Sequence, residues 1–257
     1  MQRRSFEELV QLMTTLRGPD GCPWDRKQTL PSLKPFIIEE AYEVVDAIDR
    51  DDRHALAEEV GDLLLEAVFV AELTREEGSF DIYDSITAIH EKLVRRHPHV
   101  FGDVEAKDAE QVLVNWEKLK NEERKAEDKS LLAGVPPALP ALLKASRLTE
   151  KAARVGFDWR GAEDVFTKVD EELQEVHLAI RSGVESNVHD EIGDLLFTIA
   201  NLARKLNVNP EEALQSTNRK FTTRFESMER EARSAEKNLD QYSLEEMDAM
   251  WERAKRS

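Results

Sequence analysis

The chain carries acidic residues at spacings that place several carboxylates on one face of a helix. Glu172 and Glu175 are three residues apart, and Glu171 lies four residues before Glu175, so all three can share a helix face. Glu191 and Asp194 repeat the three-residue spacing farther along the chain. If the two segments form antiparallel helices, four carboxylates come together: Glu172, Glu175, Glu191 and Asp194.

A group of four carboxylates requires a positively charged partner. Asp194 stands beside Ile192, Leu195 and Leu196, so we expect its carboxylate to be partly buried, and a buried carboxylate needs compensation. The sequence supplies few lysines or arginines at a spacing that would place them beside these acids. A metal ion is therefore the natural positively charged partner. All-carboxylate sites suit hard cations, so we predict Mg²⁺, with Mn²⁺ as a substitute. The alternative is a solvated acidic helix face, which the apolar neighbours disfavour.

The acidic pattern occurs twice. The run Glu39-Glu40-x-x-Glu43 returns 132 positions later as Glu171-Glu172-x-x-Glu175, and residues 58–64 return at the same displacement as residues 190–196. Two further motif pairs downstream keep the same order, which indicates an internal duplication. The first copy therefore offers equivalent metal ligands: Glu40, Glu43, Glu59 and Asp62.

Each copy also has a glycine within its second acidic segment, Gly61 and Gly193. Glycine in a helix interior costs roughly 1 kcal/mol relative to alanine, so these positions predict a close approach by another helix or a ligand. Asp62 follows Gly61 among apolar residues, and its carboxylate, like that of Asp194, is expected to be partly buried.

Apolar spacing places the acids on helices. Apolar residues recur every three or four positions from Phe36 to Ile48 and from Leu56 to Ala71, which marks one face of a helix. The second copy repeats this pattern around a turn at Ser182-Gly183. Because the connections are short, the paired helices should pack as antiparallel neighbours. No run shows strand alternation, so we predict an all-α fold of two tandem helical bundles.

The join between the copies is rich in proline. Residues 130–140 contain three prolines and one glycine, a composition that ends a helix and forms a linker. The predicted domains are an N-terminal module at 1–129, the linker at 130–140 and a C-terminal module at 141–257.

A basic set follows the acids in each copy. Lys220, Arg224 and Lys255 of the second copy could neutralise nucleotide phosphates, since hard cations held by carboxylates commonly serve phosphates. Ordinary helix-surface charge is the other interpretation. The first-copy equivalents are Lys92, Arg96 and Lys120.

Two tryptophans accompany the basic sets. Trp251 and Trp116 could stack on a nucleotide base, whereas a tryptophan at a helix seam more often packs in the core. Asn218 lies two residues before Lys220, where the first copy has His90. We therefore count Asn218 and Trp251 among the candidate substrate contacts.

Composition excludes several partners and chemistries. The net charge of −17 repels nucleic acids and anionic membranes. Cys22 is the single cysteine, so neither an intrachain disulfide nor a cysteine-rich metal site can form. No apolar run reaches the ~20 residues of a transmembrane helix, and no signal peptide is evident, so we expect a soluble cytoplasmic protein.

The run His97-Pro98-His99 is interpreted as a helix end rather than a zinc site, because Pro98 interrupts a helix. Phosphate loops, dinucleotide fingerprints and serine-hydrolase elbows are absent from the sequence.

The motifs resemble those of the MazG family over essentially the whole chain, including the tandem arrangement. The resemblance is carried by the paired EExxE and E-[VI]-G-D-L-L runs, the run RRHPHVFG at Arg95–Gly102, CPWD at Cys22–Asp25 and the W-E-x-x-K endings. The EExxE run with a downstream ExxD is shared by the wider all-α nucleoside triphosphate pyrophosphatase superfamily, whereas the HPHVF run together with the duplication singles out MazG.

The resemblance implies Mg²⁺-dependent hydrolysis of nucleoside triphosphates to the monophosphate and pyrophosphate, by metal-activated water at the α-phosphorus. Deoxy and non-canonical triphosphates remain open as substrates. It also implies a homodimer in which helices of two chains complete each site, with the C-terminal copy as the better catalyst. By resemblance, Glu172, Glu175, Glu191 and Asp194 are Mg²⁺ ligands, Glu171 is a base or supporting residue, and Lys220, Arg224 and Lys255 contact phosphate.

Two other functions are compatible with the motifs. The carboxylates could hold metal and nucleotide in a sensing or partner-binding module without turnover. A purely structural helical scaffold would bind neither.

Overall fold

The computed structural model describes residues 3–108, 111–112, 115–116, 119 and 130–256. Within these ranges every regular element is a helix, and the all-α prediction is confirmed. No described helix has the length and apolar character that spanning a membrane requires. The chain divides into two units, Met1–Glu123 and Arg124–Ser257. Lys120 and residues 121–129, the end of the predicted N-terminal module, lie outside the described ranges.

The helices of the N-terminal unit begin at residues suited to cap them. The described helices are α1 (Phe6–Arg17), α2 (Leu30–Asp49), α3 (Arg53–Glu76), α4 (Ile82–Arg96) and the short α5 (Pro98–Phe101), with a 3₁₀ turn at Asp25–Lys27. Before α1, the Ser5 hydroxyl accepts a hydrogen bond from the Glu8 N–H at 3.2 Å, and the Glu8 carboxylate accepts one from the Ser5 N–H at 2.7 Å. Reciprocal bonds of this kind satisfy N–H groups that the first helical turn leaves unpaired.

The two acidic helices of this unit pack side by side, as the apolar spacing predicts. The three-residue connection 50–52 returns the chain between α2 and α3, and Asp51 adopts a left-handed conformation there with a φ of 52°. The apolar faces of α1, α2 and α3 meet in a buried core of Met13, Leu33, Val68, Phe69 and Leu73.

Arg17 joins three segments of the N-terminal unit. Its guanidinium donates to both carboxylate oxygens of Glu76 at the end of α3, at 2.8 and 2.6 Å. It also donates to the carbonyl oxygen of Asp25, in the CPWD run. A bidentate pair of this kind fixes geometry as well as charge, so Arg17 holds the CPWD segment against the acidic hairpin.

The proline between the two histidines ends a helix, as predicted. Helix α4 stops at Arg96, His97 forms its C-terminal cap, and Pro98 begins α5. The His97 ring contacts the carbonyl oxygen of Leu93 through Nδ1 at 2.7 Å.

The C-terminal unit is built around a second acidic hairpin. Its described helices are α6 (Ala141–Ala153), α7 (Ala162–Ser182), α8 (Glu185–Lys205), α9 (Pro210–Ser234) and α10 (Leu244–Ala254), with a 3₁₀ turn at Leu239–Gln241. Gly183 ends α7 in the left-handed conformation, with a φ of 70°, which glycine adopts without steric cost. The predicted turn at Ser182-Gly183 is thus confirmed, and α8 returns along α7.

Two contacts hold the other helices of this unit in place. Asp158, before α7, pairs with Arg204 at 2.6 Å and Lys205 at 2.7 Å at the end of α8. Helices α9 and α10 pack through buried Met228, Ala232 and Met250. Helix α9 also packs against α6 and α8.

Candidate metal and phosphate site

The C-terminal hairpin brings together three of the four predicted carboxylates. Glu172 and Glu175 of α7 and Glu191 of α8 each offer an oxygen atom, and these atoms lie within 4.8 Å of one another. Glu172 is buried, with 5% of its surface exposed, and the other two are half-buried. Burial, followed by the hydrogen bond and negative charge of Glu172, raises the pKa of Glu175 above its ordinary value. Such a cluster favours a cation among its oxygens.

Lys168 already supplies one positive charge to this cluster. Its Nζ atom lies 2.9 Å from Oε1 of Glu172 and 2.8 Å from Oε1 of Glu171. Hydrogen bonds to Glu171 and then Glu172 raise the lysine pKa above its ordinary value. The sequence analysis expected few cations at matching spacing and did not identify Lys168 as one of them. The signal was in the sequence, because a lysine four residues before a glutamate faces it on a helix.

Asp194 and Glu171 lie outside the group of three. Both are exposed, and Glu171 instead pairs with Lys168. The expected partial burial of Asp194 and of Asp62 is wrong for the single chain. The neighbours of Asp194 are themselves uncovered: Leu196 is 52% exposed and Ile192 is 42% exposed. Apolar neighbours bury an acid only where another surface covers them.

The N-terminal hairpin forms the equivalent cluster. Oxygen atoms of Glu40 and Glu43 from α2 and Glu59 from α3 lie within 4.8 Å of one another. Burial and then the charges of Glu43 and Asp62 raise the pKa of Glu40, while burial and a hydrogen bond with Glu43 raise that of Glu59. In the part of the chain that the structure describes, no lysine, arginine or histidine pairs with these acids. The cluster thus carries unbalanced negative charge.

A further acid of α3, Glu66, lies outside the group of three converging carboxylates. It lies one helical turn beyond Asp62 on α3, and its Oε2 atom is buried with no hydrogen-bond partner. Burial, followed by the charges of Glu40 and Asp62, raises its pKa. An orphaned buried carboxylate oxygen beside other acids is suited to a hard cation such as Mg²⁺. The sequence analysis missed Glu66, although its four-residue spacing from Asp62 was visible.

The mid-helix glycines face open space. A Cβ atom added to Gly61 or Gly193 would meet no atom of the described chain within 4 Å. The expected close approach of another helix therefore does not occur among the residues that the structure describes. If something packs closely against these positions, it comes from outside the described chain.

The basic and aromatic candidates lie on α9 and α10. The Arg224 guanidinium carbon lies 5.6 Å from the centroid of the Trp251 ring, and the Phe221 ring centroid lies 5.2 Å from the same ring. Trp251 is half-buried at the α9–α10 seam. The structure thus places Arg224 and Trp251 together, a cation–π arrangement that spacing alone did not predict. The N-terminal unit repeats it, with Arg96 at 6.0 Å from Trp116.

The remaining candidates are at the surface. Lys220 and Asn218 are exposed on α9, and Lys255 pairs with Glu252 just after α10. In the described chain, Lys220, Arg224 and Lys255 form no ion pair with the carboxylates of α7 and α8. Lys220 and Arg224 are thus available to an anionic ligand on this unit, whereas Lys255 must leave Glu252 to bind one.

Comparison with known proteins identifies related chains. A model of the "MazG nucleotide pyrophosphohydrolase domain" matches residues 28–101 and again residues 161–228, which confirms the tandem arrangement. The chain is 46% identical over 250 residues to "Nucleoside triphosphate pyrophosphohydrolase/pyrophosphatase MazG" of Thermotoga maritima, covering 97% of this chain and 95% of that protein. It is 44% identical over 256 residues to "Nucleoside triphosphate pyrophosphohydrolase" of Escherichia coli K12, covering 98% and 97%. A solved mazG-related protein from Thermotoga maritima is 28% identical, with a TM-score of 0.40, covering 45% of this chain and 98% of that one.

Proposed function

Because the chain belongs to the MazG nucleotide pyrophosphohydrolase family, we propose that it hydrolyses nucleoside triphosphates to the monophosphate and pyrophosphate in a Mg²⁺-dependent reaction. Water attacks the α-phosphorus, and pyrophosphate leaves. The names of the relatives from Thermotoga maritima and Escherichia coli support a hydrolase of phosphoanhydrides. Deoxy and non-canonical triphosphates are included among the proposed substrates.

One observation carries the proposal: the convergence of carboxylate oxygens of Glu172, Glu175 and Glu191 within 4.8 Å. We assign these three residues and Asp194 as Mg²⁺ ligands, with Mn²⁺ as a substitute. Asp194 is the exposed member, three residues beyond Glu191 on the same helix face. The N-terminal cluster of Glu40, Glu43 and Glu59, with Asp62, is the equivalent cation site of the first module.

When bound, Mg²⁺ lowers the pKa of a coordinated water molecule and neutralises phosphate charge. The chain's own residues then place and deprotonate the attacking water. Glu171 is exposed next to Glu172 and is the proposed base or supporting acceptor for the water proton. Its present partner Lys168, whose Nζ atom lies 2.8 Å from Oε1 of Glu171, orients the carboxylate.

The basic set supplies the contacts to the outer phosphates. We assign Lys220, Arg224 and Lys255 to this role because their charges are not committed to the carboxylate cluster. Arg224 offers two parallel N–H donors to phosphate oxygens, and its position beside Trp251, at 5.6 Å from the ring, restrains its guanidinium. Trp251 and Asn218 are the proposed contacts to the nucleoside.

Turnover is assigned to the C-terminal module. The N-terminal module keeps its acids but has His90 in place of Asn218 and Phe36 in place of Lys168. We therefore propose the C-terminal module as the better catalyst.

We further propose a homodimer in which a second chain covers the exposed faces of the acidic hairpins. Ile192 and Leu196 on α8 and Val60 and Leu64 on α3 are all at least 42% exposed. Apolar stripes of this kind mark interaction surfaces in monomers. Gly193 stands within the same stretch of α8 with open space above it, which suits the close approach of a partner helix. Helices from two chains would then enclose each site.

The proposed partners are nucleoside triphosphates and the second chain. Nucleic acids and membranes are not included, because a net charge of −17 repels polyanions. The cytoplasm, where nucleoside triphosphates are made and used, is the proposed location.

Incubation of the full chain with each nucleoside triphosphate, with and without Mg²⁺, tests the proposed activity. We expect monophosphate and pyrophosphate in equal amounts when Mg²⁺ or Mn²⁺ is present, and neither product when the metal is chelated. Separation of the nucleotides by anion-exchange chromatography and an assay for pyrophosphate provide the measurement.

Three outcomes would contradict the proposal. Diphosphate and orthophosphate would mean attack at the γ-phosphorus. Saturable nucleotide binding with no product from any triphosphate would favour the sensing module instead. Absence of both nucleotide binding and product would favour the purely structural helical scaffold.

A further inference from the structure

One exposed aromatic side chain of the N-terminal unit has no part in the proposed hydrolysis. Trp24, in the CPWD run between α1 and α2, leaves 54% of its surface exposed. Exposure of a single apolar side chain is ordinary by itself. Its meaning depends on whether the chain holds the ring in a fixed position and on what lies beside it.

The backbone that carries Trp24 is fixed on both sides. Before it, a Cβ atom at Gly21 would lie 2.1 Å from the carbonyl oxygen of Leu16, so only glycine allows the chain to approach the end of α1 this closely. After it, the guanidinium of Arg17, whose side chain is 7% exposed, donates to the carbonyl oxygen of Asp25. The indole ring is therefore presented on a rigid loop, and binding a ligand there costs little ordering of the backbone.

Trp24 lies beside the N-terminal carboxylate cluster. Its ring centroid is 5.8 Å from that of Phe36, and Phe36 precedes Glu40 by four residues on α2. Residues four apart follow one another along the same helix face. With one helical turn between Phe36 and Glu40, the indole lies on the order of 10 Å from the carboxylates. A sugar, a phosphate group and a bound cation together span such a separation.

The contact between Trp24 and Phe36 leaves a face of the indole free. The ring planes meet at 64°, in an edge-to-face arrangement, and such a contact covers at most one face of a ring. Phe36 itself packs against the N-terminal core, so it supports the indole. A flat aromatic ligand stacked on the free face would remove apolar surface from water that the single chain leaves exposed.

The neighbouring charges restrict what binds to this face. Among the described residues, Glu40, Glu43 and Glu59 have no ion-pair partner, and their oxygens converge within 4.8 Å. An apolar protein surface laid over Trp24 would take these uncompensated carboxylates out of water, which is costly. A nucleotide that carries Mg²⁺ on its phosphates supplies both a flat base for the indole and positive charge for the acids. Bases of every kind stack on aromatic side chains.

We propose that Trp24 and Phe36 form a nucleobase platform, so that the N-terminal module binds a magnesium nucleotide of its own. The C-terminal module has Lys168 in place of Phe36, which puts an ammonium group rather than an aromatic ring before its paired glutamates. Base stacking on Trp24 is accordingly specific to the N-terminal module. The cation at the N-terminal cluster rests on the proposed function, whereas the stacking of a base on Trp24 does not.

Equilibrium dialysis of the full chain against an α,β-methylene triphosphate analogue with Mg²⁺ tests the inference, because the carbon bridge of this nucleotide cannot be cleaved. We expect two bound nucleotides per chain, and one in Glu172→Gln, which disables the C-terminal site. Adding Trp24→Leu to Glu172→Gln keeps an apolar side chain but removes the flat ring. It should weaken the remaining site by roughly 10- to 100-fold. Trp24→Phe in the same background retains a ring and should weaken it less.

Inorganic triphosphate separates base stacking from a structural role of Trp24. It carries the phosphates and Mg²⁺ without a base, so Trp24→Leu should leave its affinity for the N-terminal site unchanged. Leu12→Ala is the matched control, because Leu12 is 52% exposed on α1 of the same unit, and this variant should keep nucleotide binding. Circular dichroism verifies that the helices are retained. The stoichiometry of the natural chain tests the inference even if Trp24→Leu fails to fold.

One bound nucleotide per natural chain would overturn the inference, and so would a Trp24→Leu variant with unchanged nucleotide affinity. Equal weakening for the analogue and for inorganic triphosphate would show a structural role instead. A loss confined to self-association, measured by ultracentrifugation, would assign Trp24 to an interface between chains. The hydrolysis assay distinguishes these failures from failure of the proposed function. Products with one bound nucleotide would refute the inference and keep the hydrolase, and two bound nucleotides without products would do the reverse.

Discussion

Replacing Glu172 with glutamine is expected to lower kcat for triphosphate hydrolysis by at least roughly 10³-fold. Glu172 is the buried member of the C-terminal cluster, 5% exposed, and it contacts both Glu175 and Lys168. Glutamine keeps the size of the side chain but cannot supply a charged oxygen to a cation. The loss should therefore appear in kcat with little change in fold, measured by steady-state kinetics and circular dichroism.

Two variants make the Glu172→Gln result specific. Glu163→Gln changes an exposed glutamate in the first turn of the same helix, and it should retain activity. Glu40→Gln removes the equivalent carboxylate of the N-terminal module. If this variant retains hydrolysis, turnover is assigned to the C-terminal module. Equal losses in Glu172→Gln and Glu40→Gln would mean that both modules work or are coupled. Glu172→Gln activity within tenfold of the natural chain would contradict the assignment of Glu172.

Replacing Leu196 with glutamate is expected to weaken dimerisation by roughly 100-fold or more and to remove activity in proportion. In the single chain the Leu196 side chain is 52% exposed, so a glutamate there leaves the monomer stable. In a dimer that covers α8, the same carboxylate would be buried without a partner, which costs several kcal/mol. Analytical ultracentrifugation across a range of concentrations, combined with the hydrolysis assay, measures both effects.

Leu244→Glu provides the control for the dimer. It makes the same substitution at a leucine that is 79% exposed at the start of α10, and it should remain dimeric and active. A Leu196→Glu variant that is still a fully active dimer would show that α8 does not form the interface.

The helices that carry the acids could be predicted because their signals are local. The apolar spacing from Phe36 to Ile48 lies within the observed α2, and Gly183 marks the end of α7 both in the sequence and in the structure. Spacing of three residues also places Glu172 and Glu175 on one face, where the structure has them. Each of these inferences needs only residues one or two turns apart.

The misjudged features depend on what covers a helix face. Asp194 has apolar neighbours, but burial also requires a second surface above them, and local sequence does not reveal whether the same chain provides it. The pairing of Arg224 with Trp251 requires the packing of α9 on α10, which spacing within one helix does not encode. Lys168 and Glu66 are different, because both stand four residues from an acid already identified, at a spacing that predicts contact.

Hydrolysis in water enriched in ¹⁸O tests the central claim most directly. The full chain hydrolyses a nucleoside triphosphate to completion in the presence of Mg²⁺. Both products are then analysed by mass spectrometry. Our account predicts heavy oxygen in the nucleoside monophosphate and none in pyrophosphate, because the new bond forms at the α-phosphorus. Heavy oxygen in pyrophosphate would place the attack at the β-phosphorus and contradict the mechanism.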